Sequence, residues 1–377
     1  MMRAPRPTLI CCATHDFFDI NGTWKSYRDA KRLYGRLGFA ERMDIIEVDE
    51  KHGYNQPLRE ASVRFMLRWL AGRDEAITEP EIQLLSDEEL RSSPDGQVMR
   101  IEGAVSAFDI CRAESQKLAE TRPKSRQQVG MDQFRKEFLK VAGIRNAAKR
   151  TWLGVFFKKD FTRDRVEYNS FALKVEDGVY LPVVVAKPAG KKTTTVNLVL
   201  HDQGKSVAFQ ADGKAEKALG NGETVVAVDL RGVGETFGLG SRWYSGRFGP
   251  DSKDIATAYL LGLNYVGMRT NDILTCTDWI REEFGKDVTI RLSAHGHLCT
   301  PALHAAFVEP DRFEHMRLTG GLISWSNLME TPIHQDQFVN VIHGALRYYD
   351  LPDLVRALGD KIQVESPVDA TGAPTVR

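Results

Sequence analysis

Hydrophobic and polar positions alternate in a first block that predicts strand, helix, strand, helix. PTLICCATHD has the pattern of a buried strand, and SYRDAKRLYGRLG carries an apolar stripe at helical spacing. MDIIEVDEKHGY and PLREASVRFMLRWLAG then repeat the same order. Alternating β and α segments place parallel strands in a layered sheet. Residues 1–72 therefore predict a small α/β module.

The rest of the chain divides into a charged stretch and a second α/β block. Residues 73–165 are weakly apolar and predict a connector with helices around 104–121 and 131–149. From 166 to 377 the strand patterns resume with FALKVEDGVYLPVVVAKP and continue through TVNLVLHD, TVVAVDLRGVGET, VTIRLSA, RLTGGLISW and KIQVESPVDATG. This block predicts a larger domain with a mostly parallel sheet and helices on both faces.

Composition and charge remove several classes of function. The 377 residues are 42% hydrophobic, enough for a large core, and 51 basic residues balance 51 acidic ones. A neutral chain lacks the basic surface that nucleic acid or an anionic membrane would require, so neither partner is expected. No apolar run approaches the length of a membrane span, and the first residues do not form a signal peptide, so the sequence leaves the location open.

The cysteines give no sign of a cofactor or a disulfide framework. The chain has five, and their spacing matches no metal-ligand motif. Cys11 and Cys12 lie in an apolar run, where thiols behave as small hydrophobic side chains. We therefore expect no disulfides, no cofactor and no metal.

Two turns in the first block carry residues that suit acid–base chemistry. The first strand ends in ATHD, with Asp16, and the second ends in DEKHGY, with His52. If the strands are parallel neighbours, both turns lie at the same edge of the sheet. The simpler interpretation is that Asp16 caps its own turn and His52 is a solvated loop residue.

The order of elements and both turns resemble the end of an α/β-hydrolase domain, near the acetylxylan esterase, dienelactone hydrolase and prolyl oligopeptidase branches. In such enzymes a G-T-x-D turn supplies the acid and a D-x-x-H-G turn supplies the histidine. The resemblance implies that Asp16 orients His52, and that His52 accepts a proton from a serine. Asp19 is the substitute acid if the turn is offset.

The larger block resembles the body of the same fold, with departures at the two turns that carry chemistry. LHDQGK is similar to the H-G-x-G turn that helps to form an oxyanion hole, with Gly204 kept and Asp202 in place of the first glycine. VDLRGVGET is similar to a strand exit in these esterases, in which Asp229 and Arg231 are expected to tie loops together.

The nucleophile turn of this block contains no serine. In AHGHL, Gly296 stands where the G-x-S-x-G pattern places the serine, while Ala294 and Leu298 replace the glycines. Ser293 is three residues too early, and neither Cys299 nor Thr300 falls at the elbow. The resemblance therefore implies a degenerate site.

Other polar residues near the elbow predict no further chemistry. His295, His297 and His304 suggest a metal site, but residues two apart in a turn diverge and no carboxylate follows at a ligand spacing. We therefore expect none. SPVDATG places Asp369 where a catalytic acid would lie, as a vestigial acid without a histidine after it.

Two architectures explain an acid-bearing strand at both ends of the chain. In a tandem protein, residues 1–72 end a catalytic hydrolase whose body is missing, 73–165 connect, and 166–377 form a second, incomplete copy. In a circular permutant, the first block would complete the sheet of the last. The duplicated strand favours the tandem.

The expected function is carboxylic-ester hydrolysis on a small ester or an acetylated polysaccharide, with the nucleophile missing from this chain. The alternative is a non-catalytic module that binds a partner or carbohydrate.

Overall fold

The computed structural model describes residues 2–93, 95–210, 214–238, 248–249 and 251–375. The chain forms two compact units, Met1–Ile101 and Glu102–Arg377. The first compact unit is small, and the second contains the large sheet and the main hydrophobic core.

The first unit is a pair of parallel strands with two helices. Its elements are β1 (Thr8–His15), α1 (Ile20–Arg36), β2 (Met43–Lys51) and α2 (Gln56–Met66), and α2 continues into a π-helical turn over Leu67–Ala71. β1 and β2 pair in parallel, as the alternating pattern predicted. Their carboxyl ends therefore meet at one edge. The core of this unit is slight and centres on Ala30, Tyr34 and Met43.

An eight-stranded mixed sheet organises the second unit. Its strands are β3 (Gly154–Arg163), β4 (Val166–Glu176), β5 (Val179–Pro188), β6 (Thr195–Leu200), β7 (Thr224–Val228), β8 (Thr289–His295), β9 (His315–Thr319) and β10 (Ile362–Glu365). The order across the sheet is β10-β9-β8-β6-β7-β5-β4-β3. From β7 to β10 neighbouring strands are parallel, whereas β3, β4 and β5 form an antiparallel edge. The predicted α/β class with a mostly parallel sheet is confirmed.

Helices accompany the sheet of the second unit. They are α3 (Ala107–Val129), α4 (Met131–Ala142), α5 (Lys214–Gly220), α6 (Ser252–Leu260), α7 (Tyr265–Phe284), α8 (Cys299–Val308), α9 (Trp325–Glu330) and α10 (Leu351–Leu358). α7 and α8 are buried along most of their length because they pack against each other and the sheet. This packing holds the turn between β8 and α8 in place.

The predicted connector contributes to the second unit. α4 places Phe134, Phe138 and Ala142 in the main core, and Phe138 lies 4.8 Å from Phe307 of α8 between ring centroids. β3, predicted as part of the connector, is the outer strand of the large sheet. The charged, weakly apolar sequence does not predict these contacts, because only one face of each helix is buried. As evolutionary modules, the boundaries 1–72, 73–165 and 166–377 stay a prediction.

None of the helices in the described parts of the chain is both long and apolar enough to cross a lipid bilayer.

Candidate functional site

Asp16 and His52 form a hydrogen-bonded pair at the carboxyl edge of the first unit. Asp16 follows β1 and His52 follows β2, and Nδ1 of His52 lies 2.8 Å from Oδ2 of Asp16. The expected contact between the two side chains is therefore present. The imidazole is 57% exposed while the carboxylate is only 14% exposed, so the ring faces solvent and the acid sits behind it. Their catalytic roles stay a prediction.

Neighbouring groups hold the carboxylate of Asp16 in its charged form. Oδ1 accepts the backbone N–H of Phe18, which closes a turn, while Oδ2 faces His52. Partial burial opposes ionisation, but these hydrogen bonds outweigh it and lower the pKa of Asp16 below its ordinary value. Asp16 therefore both closes its own turn and orients the imidazole, so the two interpretations of this residue hold together.

Aromatic side chains surround the exposed imidazole. The ring of Phe17 lies 4.5 Å from that of His52, and Phe18 lies 6.2 Å away, between centroids. Asp19, the substitute acid, instead accepts the N–H groups of Asn21 and Gly22 and caps α1. Its carboxylate therefore serves the helix, and Asp16 alone faces the histidine.

The turn from β8 to α8 has the backbone of an elbow. Gly296 follows directly after the strand with φ +58°, in the left-handed region that favours glycine. A single 3₁₀ turn over Gly296–Leu298 leads into α8. Leu298, at the position of a small residue in the hydrolase pattern, is fully buried. The elbow thus keeps its position in the fold without a side chain at its tip.

The carboxylate of Asp202 lies where that side chain would begin. A Cβ atom on Gly296 would be 1.6 Å from Oδ2 of Asp202, well inside contact distance. Asp202 belongs to the loop after β6, and β6 and β8 are parallel neighbours. The glycine-to-aspartate change in one loop and the missing serine in the other therefore meet in a single volume.

Two histidines flank this carboxylate. Register pairs Leu200 of β6 with Ala294 of β8, so the next residues, His201 and His295, stand side by side. Their rings are parallel, 4.2 Å apart between centroids with a 4° interplanar angle. Oδ1 of Asp202 lies 3.1 Å from Nδ1 of His295 and 3.2 Å from Nδ1 of His201. Burial raises the pKa of Asp202, but His295 and the neighbouring histidines outweigh it, so the net shift is downward.

The other two histidines of this region have separate surroundings. Burial lowers the pKa of His297, whose Nδ1 accepts a hydrogen bond from the Asn340 side-chain amide at 3.2 Å. His304 lies in the core, where Nδ1 donates to the Thr300 carbonyl at 2.7 Å and Nε2 contacts the Tyr349 hydroxyl at 3.0 Å. Burial lowers the pKa of His304 to about 4, so the ring is neutral at pH 7. His304 is therefore a packing residue.

Asp229 and Arg231 tie loops together below the site, as the pattern predicted. Asp229 accepts the Lys205 ammonium at 2.8 Å and the Glu235 N–H at 3.0 Å, which links the loops after β6 and β7. Arg231 binds the buried carboxylate of Asp272 through two hydrogen bonds of 2.8 and 2.6 Å. Both residues stabilise the loops at the carboxyl edge of the sheet.

Asp369 uses its carboxylate within its own turn. Oδ1 accepts the N–H groups of Thr371 and Ala373 and the Thr371 hydroxyl. These hydrogen bonds lower the pKa of Asp369. The carboxylate therefore stabilises a turn, and its role as a vestigial acid stays a prediction.

Comparison with known proteins supports the fold seen in the structure. No protein-family model matches the chain, and no curated protein matches its sequence. A solved structure from Bacteroides fragilis, described as a "putative acetyl xylan esterase", matches with a TM-score of 0.52 at 14% identity, over 73% of this chain and 77% of that one. Acetyl xylan esterases from Paenibacillus sp. and Thermoanaerobacterium sp. match with TM-scores of 0.41 and 0.39, both at 14% identity. They cover 64% and 63% of this chain, and 81% and 85% of their own. The chain has the α/β-hydrolase fold.

The sequence does not predict the His201–Asp202–His295 cluster. The three residues lie in two separate motifs, and the only histidine grouping that the sequence suggests joins His295 with His297 and His304. The signal was the strand order: loops after adjacent parallel strands meet at one edge, and two departures from one pattern on such loops point to a shared volume.

Proposed function

We propose that the chain is part of a carboxylic-ester hydrolase of the acetyl xylan esterase type, and that the second unit is its non-hydrolytic portion. In this proposal Asp16 and His52 are the acid and base of a serine-dependent site. The serine comes from a hydrolase body supplied by another segment, because the elbow at Gly296 offers no hydroxyl. The substrate is a small ester or an acetylated polysaccharide.

The observation that carries the proposal is the 2.8 Å contact between Nδ1 of His52 and Oδ2 of Asp16. A carboxylate at Nδ1 fixes the tautomer in which Nε2 is free to accept a proton from serine. The attacking serine would form an acyl-enzyme, and His52 would return the proton to the leaving alcohol. Water activated by the same imidazole would then release the acid.

The elbow supports a non-catalytic role for the second unit. Gly296 has no nucleophilic atom, and Asp202 fills the space beside it. A serine at position 296 would clash with the Asp202 side chain. Restoring the serine alone would therefore not restore the site. In this proposal the edge binds carbohydrate or a partner protein.

The proposal is tested on the coding sequence and on its product. An in-frame hydrolase body with G-x-S-x-G upstream of the Met1 codon supports it, whereas a stop codon directly upstream contradicts it. If the longer product hydrolyses p-nitrophenyl acetate, His52→Ala should abolish turnover. His15→Ala is the matched control, because His15 lies at the end of β1 and pairs with Asp49 at 2.8 Å outside the dyad. If His52→Ala kept the same activity as His15→Ala, the role of His52 would be refuted.

A further inference from the structure

We propose that His201, Asp202 and His295 form a binding site for a divalent transition-metal ion, of which Zn²⁺ is the best match. Each residue offers one ligand atom, and the three atoms lie within 4.8 Å of one another. This inference is independent of the proposed ester hydrolysis, because it concerns the elbow edge of the second unit alone.

The fold brings the three residues together by register. β6 and β8 are adjacent and parallel, and the Leu200–Ala294 pair sets His201 beside His295 at the carboxyl ends of the two strands. The two rings stack face to face, 4.2 Å apart between centroids. The site therefore rests on two strands of the sheet, which fix ligand positions better than a free loop.

Distances within the cluster suit a tetrahedral ion. Oδ1 of Asp202 is 3.1 Å from Nδ1 of His295 and 3.2 Å from Nδ1 of His201. Ligands at the usual zinc distances of about 2.0–2.1 Å stand roughly 3.3 Å apart at the corners of a tetrahedron. The stacked rings must rotate away from each other to hold one cation, because two parallel imidazoles 4.2 Å apart cannot both direct their in-plane lone pairs at the same ion.

One contact in the cluster shows the state in which His201 could act as a ligand. Nδ1 of His201 accepts the backbone N–H of Gln203 at 3.1 Å, so this nitrogen carries a lone pair and no proton. A metal ion bound to Nδ1 would replace the Gln203 N–H on that lone pair, so binding costs this hydrogen bond.

The donor set selects the kind of metal. Two imidazoles and one carboxylate suit Zn²⁺ and similar first-row ions, whereas Mg²⁺ and Ca²⁺ prefer oxygen ligands alone. The side chains are 18% exposed at His201, 23% at Asp202 and 40% at His295, so one side is open to solvent. Water would complete the coordination from that side. Gly296 leaves room for this carboxylate, because a Cβ there would lie 1.6 Å from Oδ2 of Asp202.

The direct test is titration of the chain, freed of metal by chelation, with Zn²⁺ by calorimetry and with Co²⁺ by visible absorption. We expect one high-affinity ion per chain and the intense d–d bands of tetrahedral Co²⁺. Absence of binding in the wild-type chain would overturn the proposal without recourse to a variant.

Variants locate the ion. Two single variants are compared: Asp202→Asn, which keeps the size of the side chain, and His295→Ala. Each should weaken Zn²⁺ binding at least about tenfold. His343→Ala is the matched control, because His343 is exposed and lies outside the cluster. Circular dichroism checks that each variant is folded. Zn²⁺ affinity unchanged in both Asp202→Asn and His295→Ala would place the ion elsewhere and refute the site.

Discussion

The Asp202 carboxylate occupies the place of a side chain at position 296: its Oδ2 lies 1.6 Å from the position of a Cβ on Gly296. In the hydrolase pattern the first position is a glycine and the second a serine. In this chain the loop after β6 carries Asp202 and the elbow carries Gly296. The two departures from the pattern therefore meet in one volume.

Gly296→Ser should destabilise the chain through both backbone and clash. At φ +58° a serine costs about 1–2 kcal/mol of unfolding free energy, and displacement of Asp202 adds to it. Combining it with Asp202→Gly should recover the second part, with a coupling energy of about 1 kcal/mol or more in a double-mutant cycle from urea unfolding.

Gly344→Ser is the matched control for this cycle. Gly344 has φ +76° and open space around its Cβ position, so it carries the backbone strain without the clash. Its cost should be the same with and without Asp202→Gly. A coupling energy near zero between positions 202 and 296 would show that the two changes are unrelated.

His304 should make stability depend on pH. Its pKa is about 4 in the folded chain and about 6.5 when unfolded, so the unfolded state binds an extra proton between these values. Stability from this group is complete above pH 6.5 and is lost as pH falls towards 4. The loss between pH 7 and pH 5 should be about 2 kcal/mol, from urea unfolding at both values.

His304→Gln should flatten this dependence, while His343→Gln, at an exposed position, should leave it as in the wild type. The comparison uses the difference between the two pH values, so a general loss of stability in the core variant does not affect it. Parallel pH profiles for all three proteins would contradict a neutral, buried His304.

Asp16 should titrate below the ordinary range of an aspartate because His52 and a backbone N–H stabilise its charge. Removing the imidazole in His52→Ala should raise the pKa of Asp16 towards its ordinary value, measured from the ¹³C shift of the carboxyl group. His15→Ala should leave this pKa unchanged. If both variants gave the same titration, the hydrogen bond would not form in solution.

Limited proteolysis should separate the two units. Residues 73–97 form no helix or strand in their described part and are mostly exposed, so trypsin should cut after Arg91. The first unit has only a two-stranded sheet and a slight core, and should be digested further, while the second survives. A stable fragment of residues 1–72 would contradict this, and mass spectrometry distinguishes the outcomes.

Local patterns predicted the elements that one face of a strand or helix determines. The parallel order of β1 and β2, the contact of Asp16 with His52 and the serine-free elbow all follow from motifs at strand ends. Each depends on neighbours in sequence plus one rule of sheet topology. These features were therefore accessible without coordinates.

Features that depend on long-range packing were not accessible. β3 belongs to the second unit because it pairs with β4, and α4 does so because a distant partner buries it, as in the contact of Phe138 with Phe307 of α8. The His201–Asp202–His295 cluster depends on the β6–β8 register, which alternation of hydrophobic residues does not specify. The hydrophobic pattern predicts whether a segment is a helix or a strand, but it does not predict its partners in the folded chain.

Hydrolysis of p-nitrophenyl acetate by the purified chain and by His52→Ala tests the central claim most directly. The claim is that this chain does not by itself supply the nucleophile that His52 would activate. We expect the native chain to show at most the residual acceleration of about 10³ to 10⁴ over solution that remains when a catalytic triad is dismantled, unchanged by His52→Ala. Rapid native turnover that is lost on His52→Ala would contradict the account and reveal a nucleophile elsewhere in the chain.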